Sequence, residues 1–426
     1  MAYQTVTHTS YGQRVGNSFK GILTGIVLFI GGTVLLWWNE GRAVHETQNL
    51  NEMEGAYVEM ENISKIDHDM DGQLVWASGM AETTDSLADS QFAVGGVAIK
   101  LSRNVEYYQW EEHKHEEKHD KLGGGEETIT TYTYEQDWQS EPINSGGFHD
   151  PDYQNANFVL AKYDDEEHWA ENVSFGAYRL ASFQIEDFSG DEPIMLDLPA
   201  EQIETIGTNV KSWLAGQDID TTGMNIVHQD RNVLYIGRSP STPTTGDVRI
   251  TFTQIVPQKI SIIAVPKGDT FKKYKTKNNA MRAFLRMGEE APDEIFQEEH
   301  DTNTMLTWLL RIVGVLCVIG GLKGIFGIIE TLAKVVPFIA NIIGFGVGLI
   351  CTIVGTVWSL IIIALAWVFY RPLLGIGILL VAGGIIYYFA MRGKKKKEEA
   401  AAAEATTAAV GQPPVQTPTA DDFPKV

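Results

Sequence analysis

A chain of 426 residues with 55 Asp and Glu against 33 Lys and Arg has a formal net charge of −22, and that charge is unevenly spread. Residues 39–304 hold 49 acidic and 21 basic side chains, and the remainder holds 6 and 12. So acidic a middle excludes the grip on phosphates that nucleic-acid binding needs. Disulfides are excluded there too, because both cysteines, Cys317 and Cys351, fall later.

The first twenty residues are polar, with Arg14 and Lys20 ahead of an apolar run at 21–38. A cleaved leader would close on small residues. This run closes on Leu35-Leu36-Trp37-Trp38-Asn39-Glu40, with tryptophan where a membrane-interface belt belongs. It is expected to be a retained transmembrane helix, with 1–20 before it in the cytoplasm.

Residues 39–304 read as one large α+β, strand-rich domain. Strands are predicted at 74–77, 97–101, 105–110, 128–134, 233–236, 248–252 and 260–265, where β-branched and aromatic residues gather. Helices are predicted at 199–214 and 278–287, the second leading into an acidic stretch. A loose recurrence of strand, turn and strand pair suggests an internal duplication.

An apolar block from Met305 to Met391 follows. A span needs about 20 apolar residues, so its charges and glycines divide it. Residues 305–322, with Arg311, form a second span. Residues 323–336 carry Glu330 and Lys334 and are predicted as a cytoplasmic interfacial helix. Residues 337–370 form a third span, about 51 Å long as a helix and overlong for a ~30 Å hydrocarbon layer. Arg371-Pro372 opens the fourth, 371–391. Arg392 and the four lysines 394–397 mark the cytoplasmic face. Four spans then put the amino-terminus in the cytoplasm and the acidic domain outside it. The Ala/Thr/Pro-rich tail, 392–426, is predicted to be disordered.

Two motifs bear on chemistry. His115-Glu116-Glu117-Lys118-His119 has the H-E-x-x-H spacing, which on a helix brings two imidazoles to one zinc beside a general base. Here nearly every neighbour is charged and Gly123-Gly124-Gly125 follows, so a solvated hairpin tip is the stronger reading. Asp67, Asp69, Asp71 and Gly72 open like a calcium loop, but the twelfth position is Ser78, and a turn before a strand is simpler. Arg311 lies inside a span, either snorkelling outward or paired with a buried acid. Within the apolar block the acid available is Glu330, expected at the opposite membrane face. No motif calls for a cofactor.

Several stretches together resemble the transmembrane protein 43 (LUMA) family. They are Trp38-Asn39-Glu40-Gly41-Arg42-Ala43, the run 105–111 with Trp110, Asp137-Trp138, Gly246-Asp247-Val248-Arg249, Leu306-Thr307-Trp308-Leu309-Leu310-Arg311, and Phe369-Tyr370-Arg371-Pro372-Leu373. The resemblance implies four spans, a large extracytoplasmic domain, an interaction role and no catalytic residues. Animal members sit in the endoplasmic reticulum and inner nuclear membrane and associate with lamins and emerin. The expected location is therefore those membranes in a eukaryote, or the plasma (inner) membrane in a prokaryote. Three functions are weighed. The first is a non-enzymatic scaffold that organises membrane protein complexes or lipid, with the bilayer, other membrane proteins and copies of itself as partners. The second is an oligomeric channel or transporter, and the third a zinc metalloprotease at His115 and His119.

Overall fold

A computed structural model describes residues 2–216 and 225–371. Contacts divide the chain into a large unit, residues 1–359, and a second from Leu360 onward. The helices are α1 (Tyr11–Glu54), a single turn α2 (Ser182–Ile185), α3 (Ala200–Ala215), α4 (Pro292–Ala333) and α5 (Pro337–Tyr370).

Three of these, α1, α4 and α5, are long and apolar enough to cross a membrane. α1 runs 44 residues, about 66 Å at 1.5 Å per residue. It starts in a capping box: the Ser10 hydroxyl accepts from Gln13 N–H while the Gln13 side chain accepts from Ser10 N–H. α4 runs 42 residues, with Pro292 in its first turn and Asp293 and Glu294 complementing the helix dipole. The apolar runs 21–38 and 305–322 are thus the middles of much longer helices.

Two expectations for the apolar block change. Residues 323–333 continue α4 without a break at Lys323, so they are not a separate interfacial helix. The run Gly324-Ile325-Phe326-Gly327-Ile328-Ile329 is as apolar as the residues before it and gives the helix no reason to stop. The overlong third segment is one helix, α5. Of the predicted fourth span only Arg371 lies among the described residues, and the tail lies wholly outside them.

α1 and α4 pack antiparallel along a glycine seam. A Cβ built on Gly25 would sit 2.7 Å from the Gly321 carbonyl oxygen, and one on Gly321 would sit 2.5 Å from Phe29 N. Gly32 faces Gly314 and Cys317 in the same way, at 2.9 Å from each. Glycines seven apart on each helix let the two backbones touch, which is how helices associate where lipid supplies no hydrophobic drive.

The β domain has two main sheets. The first runs in the order Tyr3–Thr9, Glu126–Gln139, Lys100–Asp120, Val248–Ile255, Val233–Ile236, Val227–Asp230. α3 packs on it through Ile206, Val210 and Leu214, in a core with Tyr107, Leu234, Ile250 and Phe252. In the second, Leu74–Thr83 pairs with Gln258–Lys267, which pairs with Thr270–Lys272. That strand pairs with Tyr178–Arg179, next to Val173–Phe175, which returns to Leu74–Thr83. Five strands therefore close a small barrel.

Gln258–Lys267 is buried on both faces because its alternate residues serve two cores. Ile260, Ile262 and Ala264 fill the barrel. Ile263 and Val265 face a third core containing Leu50 and Met53 of α1 with Ile295 and Phe296 of α4. The membrane helices thus run unbroken into the β domain.

The helix expected at 278–287 is instead a turn followed by the strands Met281–Arg282 and Phe284–Met287. The second of these pairs with Gln258–Lys267, and that cross-strand burial outweighs local helix preference. The two sheets draw on interleaved stretches of chain, not on sequential halves, so they do not match the suggested duplication.

Candidate functional site at the helix junction

Where the apolar stretches of α1 and α4 end, their facing sides turn polar while staying buried. α4 presents Asn303, Thr307 and Arg311 at intervals of four, one face of a helix. α1 presents Asn39, Glu40 and Arg42. Glu40 is 1% exposed and Asn39 0%. Arg311 grips Glu40 with both arms, Nε to Oε1 at 2.6 Å and Nη2 to Oε2 at 2.8 Å. Arg42 donates to Asn303 Oδ1 at 2.9 Å and to Thr307 Oγ1 at 2.8 Å. Asn39 Nδ2 donates to the Thr307 carbonyl, and Asn303 Nδ2 to the Ala43 carbonyl.

The acid that meets Arg311 is therefore Glu40, on the other helix. Glu330 instead pairs with Lys334 at 3.4 Å. Sequence reasoning missed this because it sought a partner within the apolar block, and the antiparallel register of α1 on α4 is tertiary. The available signal was an acid two residues past the interfacial tryptophans. One turn further along α1, Glu46 pairs with Arg282 of the β domain, so the polar zone runs from helix pair to sheet.

A second polar cluster lies at the other end of α1. The strands Lys100–Asp120 and Glu126–Gln139 form a long hairpin, and Tyr3–Thr9 adds to its outer edge, Thr7 facing Thr128. Arg14, buried, meets Asp120 at 2.7 Å and Glu126 at 3.3 Å and donates to the carbonyls of Gly124 and Gly125. From the end of α4, Lys334 reaches Asp120 at 3.3 Å and the Val335 carbonyl accepts from Gly123 N–H. Residues 1–20 and the hairpin tip therefore lie together. The predicted topology had set them on opposite membrane faces.

His115 and His119 lie on this hairpin as strand residues. Four residues along a strand separate the Cα atoms by about 13 Å, against about 6 Å on a helix, so the helical H-E-x-x-H geometry is not formed. Each imidazole faces Glu117, at 3.7 and 3.8 Å, and Glu116 pairs with Lys114. Asp67 caps a turn by accepting from Asp69 N–H, and Asp71 accepts from Gly268 N–H. Those carboxylates secure loops and share no centre. Among the described residues no group of three or more His, Cys, Asp or Glu is placed to hold a metal ion.

The family pattern described as "Transmembrane protein 43" matches residues 107–372. This chain belongs to the transmembrane protein 43 family. The mouse protein of that name is 27% identical over 375 residues, which cover 85% of this chain and 87% of the relative. The human protein is 27% identical over 390 residues, 89% of this chain and 91% of the relative. The Drosophila melanogaster homologue is 25% identical over 373 residues, with 85% and 91% covered. No solved structure matches.

Within the large unit the family-like stretches form two separate clusters. Asn39, Glu40, Arg42, Thr307 and Arg311 make the helix junction, with Gly41 buried between. The runs around Tyr107 and Val248 are neighbouring strands, where Arg249 grips Glu106 and lies 4.3 Å over the Trp138 ring. Asp247, 1% exposed, accepts from the Tyr235 hydroxyl and from Thr244 N–H. Burial pushes its carboxyl above the ordinary range, against the pull of those bonds. Trp110 packs edge-on to Tyr153 at 4.8 Å. Arg371 lies 4.9 Å over the Trp367 ring, and Pro372 falls outside the described residues.

Proposed function

We propose that this integral membrane protein is a non-enzymatic scaffold that holds its β domain at a fixed height and angle to the bilayer, as a platform for other membrane proteins or lipid. One observation carries it. Leu50, Met53, Ile295 and Phe296, in the extensions of two membrane helices, sit in a core of the β domain itself. Helices that continue into a domain core leave no hinge, and the Glu40–Arg311 and Glu46–Arg282 pairs lock the register above the span. A lone anchor would need no such stiffness; a platform for assembly does. Its membrane would be the endoplasmic reticulum or inner nuclear envelope in a eukaryote and the plasma membrane in a prokaryote.

The test is purification of the full chain in a mild detergent from its own membranes, with the mass of the complex measured. Recovery with stoichiometric partners, or as a defined homo-oligomer, is expected. Recovery alone as a monomer would overturn the reading. A second reading, an oligomeric channel or transporter, is favoured by the charged hairpin that joins the domain to the far end of α1. It requires ion flux in proteoliposomes.

A further inference from the structure

The hairpin and α1 join the same two ends of the molecule by different routes. From Arg14 to Arg42 is 28 residues of helix, about 42 Å. From Tyr107, 1% exposed in the domain core, to Asp120 at the tip is 13 residues of strand, about 43 Å. Arg14 holds the tip at one end, and Glu46 and Leu50 hold the domain at the other. A second covalent path between the ends of a membrane span must itself pass the level of the membrane.

α1 offers no polar side on which to lie flat. Leu23, Ile26, Val27, Leu28, Ile30 and Val34, at consecutive and staggered positions, are all exposed, which suits a helix with hydrocarbon around it. The hairpin is the reverse. Between Glu111 and Asp120 each residue is charged or histidine, and the His115 and Lys118 side chains are 76% and 62% exposed. Its strand edges are open as well. Val248–Ile255 pairs with residues 100–107 of the hairpin, and among the described residues no strand pairs with the free side of 113–120 or of Tyr3–Thr9. Hydrocarbon tolerates neither exposed charges nor open sheet edges. The bonds from α1 and α4 to the hairpin are at its tip, and behind them Asn17, Ser18 and Thr331 share a polar cavity with Lys114, Glu116 and Thr130.

We propose that this three-stranded blade passes the membrane level in a polar, water-filled space. The hairpin tip and the amino-terminus then stand on the membrane face opposite the body of the β domain. The proposal rests on geometry alone and does not depend on the scaffold reading.

Single cysteines in a Cys317→Ala/Cys351→Ala background test it in the full chain. Leu122→Cys reports the tip, where the side chain is 87% exposed, and Glu204→Cys on α3 reports the body. A membrane-impermeant maleimide is applied to sealed vesicles of either orientation, and Thr7→Cys/Thr128→Cys is oxidised in parallel. The expected result is near-complete labelling of Leu122→Cys from one face and of Glu204→Cys from the other, less than a tenth of either from its wrong face, and a Thr7–Thr128 cross-link. Labelling of both sites from one face overturns the crossing, with or without the cross-link. Failure of the cross-link overturns the placement of the amino-terminus at the tip.

Discussion

Breaking the Glu40–Arg311 pair should reveal what the helix junction contributes. Arg311→Met leaves the Glu40 carboxylate, 1% exposed, without its bidentate partner in a site that water does not reach. Loss of one member of a buried pair costs about 3–5 kcal/mol. Glu40→Leu is milder, about 1–3 kcal/mol, because the Arg311 side chain, 14% exposed, can extend toward the headgroups and hydrate its charge. The double variant removes both charges and refills the volume with apolar atoms, so it should cost only about 0–2 kcal/mol. The coupling between the two positions, the two single losses less the double, is then about 5 kcal/mol at the midpoints of those ranges. Reversible unfolding of the purified protein by sodium dodecyl sulfate, followed by tryptophan fluorescence, gives the four corners of the cycle. Single losses that add to within about 0.5 kcal/mol would refute the reasoning, since independent sites behave that way.

The glycine seam makes a second prediction. Gly321→Val should destabilise by roughly 1–3 kcal/mol, because the clash is with the backbone of α1, which has no rotamer to yield. Gly320→Val next to it, with nothing within 4 Å, should change the same unfolding midpoint little, and equal effects would sink the seam. Asp247 predicts a pH dependence. Its folded carboxyl is raised by burial, so the native state holds a proton that the unfolded chain has lost, and stability falls as pH climbs from about 4 through the raised value. Thermal unfolding of Asp247→Asn across that window should gain on the parent as pH rises; parallel curves would contradict the sign. At the hairpin, His115→Ala/His119→Ala should leave zinc affinity in calorimetry within about twofold, since among the described residues no three ligating side chains are placed around one ion. A tenfold loss would restore the metal reading.

Legibility from sequence followed the range of the interactions. Hydropathy depends on composition within a short window, so the runs 21–38, 305–322 and 337–370 stood out without any partner, as did the strands around Tyr107, Ile250 and Ile262. Helix α3 was legible for the same reason, its Ile206, Val210 and Leu214 repeating at helical spacing. The family also showed itself in short stretches whose order the chain keeps. Residues 278–287 were misread because Met281, Phe284 and Leu285 fit a helix as well as a strand, and only pairing with Gln258–Lys267 decides between them.

The sequence alone thus determined that this is a membrane protein with an acidic, disulfide-free, strand-rich domain. Burial of apolar runs in lipid and the charge of a domain are sums over residues and do not depend on who meets whom. Tertiary structure decided everything that is a pairing. It put Glu40 on Arg311 instead of Glu330, and Arg14 on the tip of a hairpin a hundred residues away. It also turned H-E-x-x-H into a strand. A charge has no partner until two elements dock, and the docking of α1 on α4 is set by glycines whose meaning appears only when a second backbone lies against them.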